Sequence, residues 1–263
     1  MNQNNPYLGA FLLILAAAGL LTFAAATGRG DITTATLVLA GAGCFTAGVF
    51  LLALYKGEPI DPAITALLPA QGTINIATLC ADLGLQSDAW FIPKDGTVVE
   101  VIPVAGTLPN LPDDDYSYIT RDGECAVRIP PTCAPLLARL KEKHALEIPD
   151  DEKALLACIT EVCDDLLEIA AKTEAVRDGE NLVVTLAGYR LIPGCRTIRA
   201  ASPKCCTMVG CPVCSLLAAI TAPGTGTPVK IEHSAVDEKR GTLRVILRPA
   251  GPAARGAGPG SSR

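Results

Sequence analysis

The chain has 263 residues, 49% hydrophobic and 4% aromatic, with a formal net charge of −5 and a mean hydropathy of +0.35. An acidic chain without a basic patch excludes nucleic acid as a partner, because neutralising phosphates needs clustered Lys and Arg. The apolar excess lies in residues 1–55 and leaves the remainder with the make-up of an ordinary globular domain.

The stretch Tyr7 to Thr27, "YLGAFLLILAAAGLLTFAAAT", carries no charge. As a helix rising about 1.5 Å per residue it is long enough to span a hydrocarbon core of about 30 Å. A second uncharged run covers 32–55, and the connector "GRGD" allows only a tight hairpin. The leading "MNQNNP" lacks the basic residues of a signal peptide, so two spans are expected over 7–27 and 32–55. Small residues four apart, Ala18, Thr22 and Ala26 facing Ala40, Cys44 and Gly48, offer a close-packing stripe. Residues 1–56 then form the anchor. Ten cysteines follow without a secreted disulfide pattern, and no N-x-[ST] sequon occurs, which places the large domain on the cytoplasmic side of the cell membrane.

Asp61 followed by Pro62 marks a helix start, and short helices are expected to Leu68 and over 74–83, ending at Gly84. Three strand pairs then flank Lys94-Asp95-Gly96, Arg121-Asp122-Gly123 and Lys239-Arg240-Gly241, turn chemistry typical of β-hairpins. Helices are expected over 132–146 and, as the longest, within 150–176, where Leu155, Ile159, Val162, Leu166 and Ile169 recur three and four apart. A strand at 181–189 and a helix at 209–220 follow. The whole predicts an α+β domain over 57–249 and a disordered Gly/Pro/Ala-rich tail over 250–263.

The order of membrane hairpin, "IDPAITALLPAQGTINIATLCADLGL" and "AWFIPKDGTVVEVIPV" resembles a family of archaeal membrane-anchored proteins of unknown function. That resemblance implies the anchor and the α+β domain and no activity. The segment "GCPVCSLLAAITAPGTGTPVKIEHSAVDEKRGTLRVILRP" is similar to the end of vinyl-reductase-type small-molecule-binding domains. The final hairpin lacks the cysteine that such domains often carry, so no family metal site carries over.

The densest chemistry is "KCCTMVGCPVC", residues 204–214. Cys206-x4-Cys211-x2-Cys214 has the spacing of a plant-type iron–sulfur loop, with Cys195 or Cys205 as the fourth ligand. The same soft ligands suit tetrahedral zinc. Two other readings stand beside these. Free cysteines are often simply buried apolar residues, and a thiol at the start of a helix after Pro212 can be reactive. His144 at the end of "RLKEKH" and His233 in a strand are poor catalytic bases. Asp113, Asp114 and Asp115 lack calcium-loop spacing. No nucleotide-binding, hydrolase or metalloprotease motif occurs. The expectation is a membrane-anchored domain that binds a protein partner or small ligand, with a metal or iron–sulfur redox module as the alternative; enzyme activity is left open, leaning against, with a cysteine nucleophile as the third option.

Overall fold

A computed structural model of the chain describes residues 6–28, 30–54, 61–106, 108, 117–121 and 124–251. The acidic run 113–115 and the tail 252–263 lie outside the described residues. The chain divides into two units, 1–60 and 61–263.

The first unit is a pair of helices, α1 (Pro6–Thr27) and α2 (Ile32–Leu54). Asp31 starts α2 by accepting the Thr34 amide at 3.0 Å. The hydroxyls of Thr22, Thr27 and Thr36 donate to carbonyls one turn back, so these polar groups need no water. The contact stripe is rotated from the expected one. Ala10, Ala17 and Ala24 are buried on α1, facing Gly41 and Gly48 on α2, while Ala18, Thr22, Ala26 and Ala40 are exposed. A Cβ at Gly48 would lie 2.9 Å from Ile14 Cγ1 and 3.2 Å from the Ala10 carbonyl. The seven-residue spacing on both helices fits a left-handed crossing.

The second unit is α+β, as expected. Among the described residues its strands are β1 (Trp90–Lys94), β2 (Thr97–Pro103), β3 (Tyr118–Arg121), β4 (Glu124–Ile129), β5 (Lys172–Asp178), β6 (Asn181–Ala187), β7 (Val229–Asp237) and β8 (Thr242–Pro249). They form one antiparallel sheet in the order β3-β4-β2-β1-β7-β8-β6-β5. The β1–β2 hairpin turns at Asp95 and Gly96, both at positive φ, the geometry for which Asp-Gly is chosen. Helices α3 (Pro62–Leu67), α4 (Ala70–Asp82), α5 (Ala134–His144), α6 (Glu152–Glu161), α7 (Ile192–Ala201), α8 (Cys205–Met208) and α9 (Pro212–Thr225) complete the unit. Asp61 caps α3 by accepting the Ala63 amide at 2.8 Å.

Among the described residues, four segments are long and apolar enough to cross a membrane: Leu8–Thr27, Ile32–Leu54, Pro62–Asp82 and Cys205–Thr225. The last is 83% buried, and α9 packs on β1, β7 and β8. Its apolar surface is therefore used by the domain itself. The core around it contains Phe91, Ile102, Leu155, Ile159, Leu216, Leu217, Ile220 and Ile231, all fully buried. At about 25 cal/mol per Å² of buried apolar area, such residues dominate the folding energy.

The expected long helix over 150–176 is corrected. It ends in a π-helical turn, Val162–Leu166, and Glu168 takes a left-handed φ of 50°. The chain then forms β5, an edge strand joined to β6 through Gly179. Asp164, expected on a polar helix face, instead accepts the Thr173 amide at 2.9 Å and its hydroxyl, which pins the start of β5.

Candidate metal centre

Three short elements bring the cysteines together. Helix α7 carries Cys195, and Ser202 stops it in extended conformation. Helix α8 then carries Cys205 and Cys206 in a single turn. Gly210, at φ +78°, reverses the chain, donating its amide to the Cys205 carbonyl at 3.1 Å. Cys211 follows as the N-cap of α9, and Pro212 at the first helical position sets Cys214 in the first turn. Two ties hold this loop in place. The Ala89 amide donates to the Thr207 carbonyl at 3.0 Å, and the Thr132 hydroxyl donates to the Gly210 carbonyl at 2.8 Å.

The Sγ atoms of Cys206, Cys211 and Cys214 all lie within 4.8 Å of one another. Cys195 joins them through a thiol hydrogen bond to Cys211. Its own sulfur lies 3.9 Å from the Tyr189 hydroxyl, and that of Cys214 lies 3.5 Å from the Ser234 hydroxyl. Cys205 goes elsewhere: its thiol faces Ser202, away from the other four. The four clustered residues are 0–8% exposed. None of the eleven cysteines forms a disulfide.

The electrostatics follow from the contacts. The thiols of Cys195, Cys206 and Cys214 hold Cys211 well below its ordinary value, and the Cys214 amide bears on the same sulfur. The other three thiols are pushed up. For Cys195 the bond to Cys211 is the main cause and burial the second. For Cys206 the main cause is again Cys211, and for Cys214 it is Cys206. The Cys211 amide in turn favours charge on the Cys206 sulfur. Two amides aimed at sulfurs reduce the penalty of holding thiolate in a buried place.

The donor set fits one soft ion. Two sulfurs on a tetrahedral zinc stand about 3.8 Å apart at Zn–S distances of about 2.3 Å. Three of the four thiols already meet that scale to within a small side-chain adjustment. Ligands on different irons of a cluster stand farther apart than ligands on a single ion. No further His, Asp or Glu joins the group among the described residues.

Other sequence candidates stand apart. His144 is in the last turn of α5, and His233 is exposed on β7 beside a bulge. Glu232 bridges Lys230 at 3.0 Å and Arg248 at 3.5 Å, with Lys230 over the Trp90 ring at 5.9 Å.

One buried group escaped the sequence reading. Glu100 on β2 is fully buried, and neither carboxyl oxygen has a protein hydrogen-bond partner of good geometry, although the Thr132 amide is near enough to favour charge there. Burial holds this carboxyl well above its ordinary value, favouring the neutral form. It lies in the field of Cys80 and Cys133, whose thiols are also raised by burial, Cys133 to about 12. The signal was available: Val98, Glu100 and Ile102 share one face of a period-two strand, so a charge fell on the core side.

A family model described as "Domain of unknown function (DUF7982)" matches residues 9–248, across the helical pair and nearly all of the α+β unit. No curated protein and no solved structure matches the chain. The match carries neither an archaeal setting nor the vinyl-reductase likeness.

Proposed function

The chain belongs to the DUF7982 family, and from that premise we propose that it is a membrane-anchored scaffold whose α+β domain is clipped together by one thiolate-bound metal ion. Helices α1 and α2 are the anchor, a two-span hairpin over 7–27 and 32–55. The domain works on the cytoplasmic side, where free thiols persist, and binds a protein partner or small ligand at the membrane surface. The single observation behind the metal reading is the convergence of Cys206, Cys211 and Cys214 within 4.8 Å, with Cys195 bonded to Cys211. Zinc is the ion of best fit: four sulfur ligands, a tetrahedral scale and no redox demand.

The ion's part is structural. All four ligands are buried, so no open coordination position faces solvent or substrate. It would join α7 and α8, short helices whose buried apolar residues include Ile198 and Met208, to the first turn of α9. Binding energy of this kind is folding energy. The iron–sulfur alternative keeps the Cys206-x4-Cys211-x2-Cys214 spacing in its favour, and the close sulfur spacing against it.

The test is elemental analysis and an absorption spectrum of the full chain, purified anaerobically in detergent. One equivalent of zinc without colour supports the clip. Iron with visible absorption and inorganic sulfide supports the redox alternative. A folded protein free of metal overturns both.

A further inference from the structure

Helices α3 and α4 are built with their large side chains outward. Leu68 and Pro69 between them keep right-handed helical dihedrals, so one nearly continuous rod runs from Pro62 to Asp82. Its inward face carries Ala66, Ala70, Thr73, Ala77 and Cys80, all buried. Ala66 meets α7 at Gly194, where any Cβ would collide with the Ala66 carbonyl. Its outward face carries Ile64 (56% exposed), Leu67 (47%), Leu68 (73%), Leu79 (60%) and Leu83 (54%). A surface helix ordinarily turns such residues to the core.

We infer that this face docks on the lipid bilayer, lying along the interface. The inference rests on the reading of α1 and α2 as membrane spans. Two observations favour lipid over a protein groove. First, no charged residue stands between Asp61 and Asp82, so the face has none of the charged rim that orients a protein partner. The exposed polar groups, Thr65, Gln71, Asn75 and Thr78, are neutral and small enough for a headgroup layer. Second, the tether is short. Helix α2 ends at Leu54 and α3 begins at Pro62. The residues between them reach roughly 25 Å at most when fully extended, which keeps the rod close to the headgroups. The small inward face packs against the domain, so the rod lies flat instead of crossing the bilayer.

The experiment uses the full chain in phosphatidylcholine/phosphatidylglycerol vesicles, on a Trp90→Phe background that removes the native tryptophan. Leu68→Trp and Leu79→Trp report on the outward face, and Leu83→Trp is a further reporter if either variant fails to fold. Phe50→Trp on α2 reports on the anchor, and Val176→Trp on the exposed edge strand β5 is the control. Lipids brominated near the headgroup end of the acyl chain should quench the α3–α4 reporters as strongly as lipids brominated at any depth quench Phe50→Trp. Val176→Trp should keep its emission. Quenching of Phe50→Trp alone overturns the docking and leaves the anchor standing. Quenching of neither overturns the anchor reading as well. Stronger quenching of Leu68→Trp or Leu79→Trp by bromine at the chain ends means a crossing helix, and a blue-shifted but unquenched reporter means a protein partner or second copy. Either result refutes the lipid dock.

Discussion

Replacing Glu100 by glutamine should stabilise the domain at neutral pH and leave it unchanged in acid. Glu100 is fully buried with both carboxyl oxygens unpartnered, and burial pushes its carboxyl well above the ordinary value. In the unfolded chain the group titrates near its ordinary value of 4.5. Above that pH the unfolded state gives up a proton that the folded state keeps. The folded state therefore loses stability by about 1.4 kcal/mol per pH unit until its own raised value is reached. The contribution is fully present below 4.5 and shrinks as pH rises towards the raised folded-state value. Glutamine keeps the shape and removes the titration. Its amide takes over a desolvation penalty of about 1–3 kcal/mol that the neutral carboxyl already bears. The assay is denaturant unfolding of the full chain in detergent micelles from pH 4 to 8, followed through Trp90, with wild type and Glu100→Gln compared at each pH. Differencing removes the titrations of groups that do not feel Glu100, the clustered cysteines among them. The two should coincide near pH 4 and separate steadily above pH 5, with the variant more stable. Parallel curves, or a variant weaker at pH 7 than at pH 4, would refute a buried neutral carboxyl.

Three further outcomes are expected. Cys195→Ser should lose most of the bound metal while Cys205→Ser retains it, read by elemental analysis of the purified chains, because Cys195 bonds Cys211 whereas Cys205 faces Ser202. Gly210→Ala should lower stability by roughly 2 kcal/mol, from a forced left-handed φ and a new Cβ 3.3 Å from Ile231 and Ser215; an unchanged melting temperature would contradict it. Asp164→Ala should expose the Thr173 amide, seen as faster hydrogen exchange along β5 and a local loss of about 1–3 kcal/mol.

Where the chain punctuates itself, its fold is legible. Asp-Gly turns announced the β1–β2 hairpin, and the pair Asp61-Pro62 announced α3. Where nothing contrasts, the reading failed. Residues 150–176 contain no Gly or Pro to break the helical period, so the π turn and β5 were hidden. The only warning was Asp178-Gly179, a hairpin turn of the kind recognised elsewhere. The contact stripe of the apolar helical pair was out of phase because α1 offers runs of alanine, 16–18 and 24–26, on every side. Within the candidate centre, the spacing of Cys206, Cys211 and Cys214 carried three ligands. The fourth position stayed open between Cys195 and Cys205, since successive residues of a helical turn point about 100° apart. Nearness of Cys205 to Cys206 in sequence therefore says little about where its thiol goes. Helices α7 and α8 are short, ten and four residues, and lie between Pro193, Ser202 and Gly210, so the stretch read as a connection even though α7 has an apolar face.

The account turns on one ion held by four sulfurs. X-ray absorption at the metal edge of the anaerobically purified full chain tests it most directly. The account predicts a zinc edge with four sulfur scatterers at about 2.3 Å and no metal–metal shell. An iron edge with a metal–metal shell, or zinc bound mainly by oxygen and nitrogen, would contradict it.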